Sequence, residues 1–279
     1  TLGGSGNVIN NLVALGGIVI PAGVIGTGRN GKRLLKRFQE LGVKTDGIIQ
    51  DPDRPTTRKT RIIATNQHVL RIDRESRKEI SKRVHNRLCD FLKQAIPNSD
   101  VVLISDYGKG VVSNSVLSLT IRTAKENDIF AIADPKGFNF SKYAGVSLLT
   151  PNKKEAGIAA GIEIIDEASL HEAGNKIIDT IDIGRLLITL GKDGMILFER
   201  GKIPKQIQAE ARQVYDVSGA GDTVIAVLGL ALAAGARLEE AMRLANTAAG
   251  IVVGKVGTAT VTRKELTDAL KNRSKARKT

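Results

Sequence analysis

Short apolar runs alternate with helix-length segments along the whole chain, and few folds can absorb that alternation. Strand-like runs at Val101–Ser105, Ile129–Asp134, Val146–Thr150 and Arg185–Thr189 are interspersed with helical patterns. The helical patterns fall at Val8–Leu15, Gly31–Leu41, Arg77–Ile96, Ser113–Asn127, Lys153–Ala160, Glu167–Thr180, Ala220–Ala234, Leu238–Gly254 and Arg263–Lys271. Strands separated by helical crossovers return parallel, so the pattern predicts an α/β domain around a largely parallel sheet. Met195–Arg200 and Lys202–Gln208 read as a hairpin around Gly201. Lys59–Ala64 and His68–Asp73 read as a second one, turning at Thr65-Asn66-Gln67, and its polar, basic character predicts that it projects from the main sheet. No repeat and no linker divides the 279 residues, a length that suits one sizeable α/β domain or two small ones.

With tryptophan absent and aromatics at 3%, the core must be built from Val, Ile, Leu and Ala. The single cysteine, Cys89, excludes an intrachain disulfide framework and predicts a reducing, cytoplasmic setting. Three scattered histidines argue against structural zinc. The net charge of +13 invites a nucleic-acid reading, but no nucleic-acid-binding motif is present and aromatics for base stacking are few. The expectation is a basic surface serving phosphorylated small molecules, with the tail Lys271–Lys278 as a solvated end. No apolar run reaches the roughly 18 residues of a membrane span, so no membrane partner is expected.

Asp216-Val217-Ser218-Gly219-Ala220-Gly221-Asp222-Thr223 stands directly before the apolar stretch Val224–Ala236, which reads as a buried helix. The first amides of a helix lack intrahelical acceptors, and small side chains let an anion approach them. Asp222 puts a carboxylate in that first turn. An anion cradle beside a base is what phosphoryl transfer to a hydroxyl requires; a plain helix start with small residues for close packing explains the same spacing.

Other segments follow predicted strands, at the edge where open α/β sheets bind ligands. Asn152-Lys153-Lys154-Glu155 follows Thr150-Pro151, and is either part of a site or an N-cap with Glu at the third position. Asp106-Tyr107-Gly108-Lys109-Gly110 and Asp134-Pro135-Lys136-Gly137 bring lysines to that edge. In Thr189-Leu190-Gly191-Lys192-Asp193-Gly194 the glycines supply either positive φ or a flat bed for a nucleotide. Gly26-Thr27-Gly28-Arg29-Asn30-Gly31 matches the dinucleotide fingerprint, but Asp46 and Asp51 are poorly placed to be its ribose acid.

Taken in order, these motifs resemble the ribokinase-like (PfkB) family of carbohydrate kinases across nearly the whole chain. Gly3-Gly4-Ser5-Gly6-Asn7 is similar to that family's sugar-binding glycine motif, Asn152–Glu155 to its N-x-x-E motif, and Asp216–Asp222 to its D-[TS]-x-G-A-G-D signature in outline. The resemblance implies a three-layer α/β/α fold with a mostly parallel central sheet and a small β lid, with lid elements around 17–25 and 56–74. It implies Asp222 as catalytic base and Gly219, Ala220 and Gly221 as the anion hole. Asn152, Glu155, Thr189, Gly191, Gly194, Asn246 and Gly250 become ATP contacts, and Glu155 reaches Mg²⁺ through water. Gly3, Gly4, Asn7, Arg61, Asp106, Lys109 and Lys136 become sugar or sugar-phosphate contacts. ATP and Mg²⁺ are the implied cofactors, and a monovalent cation stays open. Thr57–Arg61, Asn66-Gln67, Arg71–Asp73, Ser105–Gly110, Asp134–Gly137, Leu149–Asn152 and Asn246–Gly250 look like the kinases of D-glycero-β-D-manno-heptose 7-phosphate. Those enzymes transfer the ATP γ-phosphoryl to the anomeric hydroxyl in ADP-heptose (lipopolysaccharide core) biosynthesis and occur alone or fused to a nucleotidyltransferase; lids in the wider family often pair into dimers, so a homodimer is expected. A PfkB kinase of another sugar, or a non-catalytic sugar- or nucleotide-binding regulator on the same fold, is the alternative. Family members carry a strand with an acidic sugar contact ahead of the Gly-Gly motif, and this chain starts at that motif. The expectation is a single kinase domain over 1–279, truncated at its N-terminus and without the nucleotidyltransferase half.

Overall fold

The computed structural model describes residues 1–64, 67–210 and 214–276. The turn residues Thr65 and Asn66 and the last residues of the basic tail, 277–279, lie outside that set. Among the described residues the chain forms nine α-helices, three short 3₁₀ helices and ten strands, and divides into two compact units. The larger unit comprises 1–18, 99–107 and 121–279, the smaller 19–98 and 108–120.

The larger unit is organised by a six-stranded sheet of order β10-β9-β8-β7-β6-β5. β5 (Val101–Ser105), β6 (Phe130–Asp134), β7 (Leu148–Leu149) and β8 (Arg185–Thr189) run parallel, as the alternation predicts. β9 (Met195–Glu199) and β10 (Lys205–Ile207) add the antiparallel hairpin expected around Gly201. Alternate side chains of β9 serve opposite faces. Met195 and Leu197 join the core cluster of α7 (Ala220–Ala233) and α8 (Leu238–Val252), whereas Phe198 lies against Gly174 of α6 (Glu167–Thr180). Helices therefore cover both faces, giving three layers. α1 (Ser5–Ala14) packs on α7, α5 (Lys153–Ala160) on α6, and α9 (Arg263–Ala276) on α8.

α7 explains the apolar stretch of the sequence. It touches β5 and β6 as well as α1 and α8, and every residue from Thr223 to Gly229 is buried. A helix enclosed in this way has no wet face and needs none of the usual amphipathic pattern. Full burial of each Val, Leu or Ile contributes about 1.5–3 kcal/mol, so this one helix carries much of the core.

The smaller unit contains a parallel pair, β1 (Gly23–Gly26) with β2 (Ile48–Asp51), and an antiparallel hairpin, β3 (Arg58–Ala64) with β4 (Gln67–Arg74). The hairpin forms a sheet separate from the six-stranded one, as its polar composition predicts. α2 (Arg29–Glu40) follows β1, and α3 (Lys82–Ala95) builds a small core with Ile49, Val116 and Leu119. Two expectations shift. The lid element expected around 17–25 forms strand only from Gly23, and Ile18 is 99% exposed. The helix expected from Arg77 begins at Lys82, where the Ser81 side chain caps the amide of Val84. α4 (Asn114–Glu126) is close to its expected bounds and contributes to both units.

A methyl group on Gly174 would lie 2.4 Å from the buried Phe198 ring. Gly174→Ala is expected to lower stability by about 1–3 kcal/mol through overpacking, read as a lower urea midpoint with unchanged slope.

Candidate active site

The parallel strands β5 to β8 end at one edge of the sheet, and a cleft of about 140 Å³ opens there. Asp106 and Tyr107 after β5, Asp134 at the end of β6, Asn152 after β7 and Thr189 at the end of β8 line it together with Gly221. Gly219 caps α7 at φ 83°, a left-handed conformation that side chains rarely adopt, and a Cβ there would sit 2.6 Å from the Asn7 side-chain nitrogen. The first intrahelical bond runs from Thr223 N–H to the Gly219 carbonyl at 3.0 Å. The amides of Gly221 and Asp222 precede it and have no intrahelical acceptor.

The half-buried carboxylate of Asp222 is held from two sides. Asn7 Nδ2 donates to Oδ2 at 2.9 Å and the Tyr107 hydroxyl donates to Oδ1 at 2.7 Å. Burial pushes the Asp222 pKa above the ordinary carboxylate value, while the two donated bonds pull against that rise. The phenol of Tyr107 is pushed up by burial and by the charge of Asp222, so it stays protonated and donates to that carboxylate. Asn7 is fully buried on α1, and its Oδ1 has no hydrogen-bond partner among the described residues, which leaves an acceptor in reserve beside the carboxylate.

Asn152 and Glu155 satisfy both readings of their spacing. Asn152 Oδ1 accepts from the Glu155 amide at 2.9 Å and Glu155 Oε2 accepts from the Asn152 amide at 3.2 Å, a reciprocal cap that starts α5. The same two residues face the cleft, and Lys136 Nζ lies 2.6 Å from Glu155 Oε1. Asp134 has a pKa of about 7, raised by burial of its carboxyl and then by the charges of Glu155 and Asp222. Asp106 is engaged through Oδ2 by Lys142 Nζ at 2.5 Å and the Tyr143 hydroxyl at 2.7 Å, and the Tyr143 oxygen accepts from the Lys136 amide at 2.9 Å. This buried network fixes the shape of the cleft wall.

Several expected site residues have local structural reasons. A Cβ on Gly194 would lie 1.9 Å from the Ile207 carbonyl, so the passage of β10 requires glycine there. Gly191 opens the turn between β8 and β9 at φ 63°. Asn246 of α8 is buried and donates to the Gln208 carbonyl at 2.8 Å, and Gly250 is half-buried one turn later. Gly3 accepts from the Gly6 amide at the start of α1, and Gly4 caps that helix with its backbone against the Tyr107 ring.

Two expected sugar-phosphate contacts belong to the smaller unit. Arg61 is exposed on β3, across from Arg71, and Lys109 is ion-paired with Glu75. Lys59 and Arg77 also approach Glu75, and the Lys109 bond is foremost in holding that carboxyl below its ordinary range. In the same unit the Gly26–Gly31 fingerprint has a packing explanation. A Cβ on Gly31 would meet the Gly26 carbonyl at 2.0 Å, and one on Gly26 the Arg54 carbonyl at 2.3 Å. Asp51 is committed to Arg54 and to the Asp53 amide rather than to a ribose.

Sequence reasoning passed over Tyr107 and Asp134. Both stand in segments read for their lysines, and the signal that finds them is position, since each ends or follows a parallel strand at the ligand-binding edge.

The chain is 54% identical over 266 residues to the bifunctional protein HldE of Desulfatibacillum aliphaticivorans, covering 95% of this chain and 54% of that protein. It is 48% identical over 269 residues to the bifunctional protein HldE of Geobacter sulfurreducens, covering 96% and 55%. It thus spans about half the length of these curated relatives. The ribokinase of Arabidopsis thaliana, solved with ribose and ATP, superposes with a TM-score of 0.80 at 23% identity, over 96% of this chain and 87% of that one, and shares its fold. The model of the pfkB family of carbohydrate kinases matches residues 1–265, and the chain belongs to that family.

Proposed function

We propose that the chain transfers the γ-phosphoryl group of ATP to the anomeric hydroxyl of D-glycero-β-D-manno-heptose 7-phosphate, as the kinase half of a protein whose other half is a nucleotidyltransferase. The observation that carries this reading is Asp222, a desolvated carboxylate in the first turn of α7 beside two amides without intrahelical acceptors. The relatives described as bifunctional, and their doubled length, support the fused partner.

Under this reading Asp222 takes the proton of the anomeric hydroxyl as its oxygen attacks the γ-phosphorus and the bond to the ADP oxygen breaks. Charge that builds on the transferred group is met by the Gly219–Gly221 turn, the Asp222 amide and the positive end of the α7 dipole. Thr189, Gly191, Gly194, Asn246 and Gly250 contact the nucleotide, and Lys136 turns from Glu155 to phosphate. Gly3, Gly4, Asn7 and Asp106 serve the sugar, and Arg61 and Lys109 keep the sugar-phosphate role that the resemblance implies.

The residues suit a divalent cation that arrives with the nucleotide. Among the described residues no three His, Cys, Asp or Glu side chains converge as a ligand set, yet burial first, and then the charges of Glu155 and Asp222, raise Asp134 in the cleft. Asn152 and Glu155 would hold Mg²⁺ through water, as this ion keeps much of its hydration. When bound, it neutralises phosphate charge. A homodimer, a lid formed by 17–25 and 56–74, a role for a monovalent cation and a cytoplasmic location belong to the same proposal. Among the described residues no helix is long and apolar enough to cross a membrane.

ADP release by the full-length protein is expected to be fastest with heptose 7-phosphate; a preference for ribose or fructose 6-phosphate would reassign the sugar, and binding without turnover would make the chain a regulator. Asp222→Asn is expected to bind ATP normally and lose about 10²–10⁴-fold in kcat, and near-normal turnover would remove Asp222 as the base. The raised Asp134 pKa has a sign that stability can test. The folded value of about 7 exceeds the ordinary 3.8, so the native state holds the proton more tightly, and stability falls as pH rises between those values. Asp134→Asn is therefore expected to raise the Tm of the ligand-free protein at pH 8, with the gain shrinking towards pH 4 in thermal unfolding.

A further inference from the structure

The contacts of Tyr107 go beyond lining a cleft. Its hydroxyl gives the 2.7 Å bond to Asp222 Oδ1, and its ring is held by the backbone at the start of α1. A Cβ built on Gly4 would lie 3.2 Å from ring atom Cζ, closer than such contacts ordinarily come, so the absent side chain is what seats the ring. The glycine motif read as sugar-binding thus reaches Asp222 through Tyr107 as well as through Asn7.

We propose that Tyr107 is a positioning residue for phosphoryl transfer, holding Asp222 ionised and oriented so that its remaining lone pairs face the acceptor hydroxyl. This rests on the reading of Asp222 as the base. A carboxylate offers about four lone-pair sites, and Tyr107 and Asn7 take one on each oxygen. A bond donated to the charged form lowers a carboxyl pKa, which counters the effect of burial. Tyr107 itself stays a phenol throughout, so the proton leaving the sugar goes to Asp222 and no further. The other charged groups around the cleft are Asp106, Asp134 and Lys136, after β5 and β6, and Glu155 on α5. Among the described residues, Asn7 and Tyr107 are the side chains that donate hydrogen bonds to Asp222. They are the two donors that counter burial at this carboxyl.

The test is the pH dependence of kcat in the full-length protein, measured for Tyr107→Phe and for Gly4→Ala, which presses a methyl against the ring. Losing a bond to a charged group is expected to move the acid limb of kcat upward by about one pH unit in Tyr107→Phe. Its deficit should be largest at low pH and shrink as pH rises, with the KM for ATP within about twofold. Gly4→Ala is expected to move the limb in the same direction with the hydroxyl still present. A merely structural role would lower kcat equally at every pH. Acid limbs unmoved in both variants would overturn the proposal. Asp222→Asn, assayed in parallel, separates the two ideas. If it is inactive while the limbs stay fixed, only the role of Tyr107 falls; if it turns over, the base itself was misassigned.

Discussion

The enclosure of α7 is the constraint on which the rest depends. A helix buried against β5, β6, α1 and α8 cannot rotate or slide without tearing the core, because interiors are packed to crystal-like density. Its first turn is therefore fixed relative to the strand ends, and Asp222 and the amides around it are delivered to one place. The short bonds from Asn7 and Tyr107 then set only the last rotations of one side chain. Precision at the site is inherited from hydrophobic packing, with polar contacts making the final adjustment.

That division of labour explains the chemistry of the cleft. Burial raises Asp134 and the neighbouring carboxylates Glu155 and Asp222 add to the rise, while Lys136 and the open end of α7 supply the opposing charge. Each group alone is ordinary for a surface. Brought to the ends of β5 to β8, they form a pocket suited to a strongly anionic ligand accompanied by a cation.

Much of the fold was legible in the sequence because its signals are local. The runs Val101–Ser105 and Arg185–Thr189 match β5 and β8, and the Gly201 hairpin and the apolar run of α7 were plain from composition. Less legible was anything assembled from distant segments. The two compact units leave no linker because each is built from non-contiguous stretches, with Gly108–Thr120 returning to the smaller one. β2 was missed because it is only four residues long and its polar Gln50 faces outward. At the site, Asp222 was visible from its own neighbours, but Tyr107 acts on it across 115 positions and Asn7 across 215, and no spacing rule encodes such distances.

The reciprocal cap at Asn152 and Glu155 bears on how informative the motif is. Because the same atoms start α5 and face the cleft, selection for folding alone would preserve the pair in a descendant that had lost all chemistry. Its presence marks the architecture more securely than the activity. The Tyr107–Asp222 contact carries the opposite kind of information: neither residue caps a helix through its side chain, and nothing in the fold obliges a phenol to meet a carboxylate there. In sorting active members of the lineage from silent ones, that pair is the better diagnostic character.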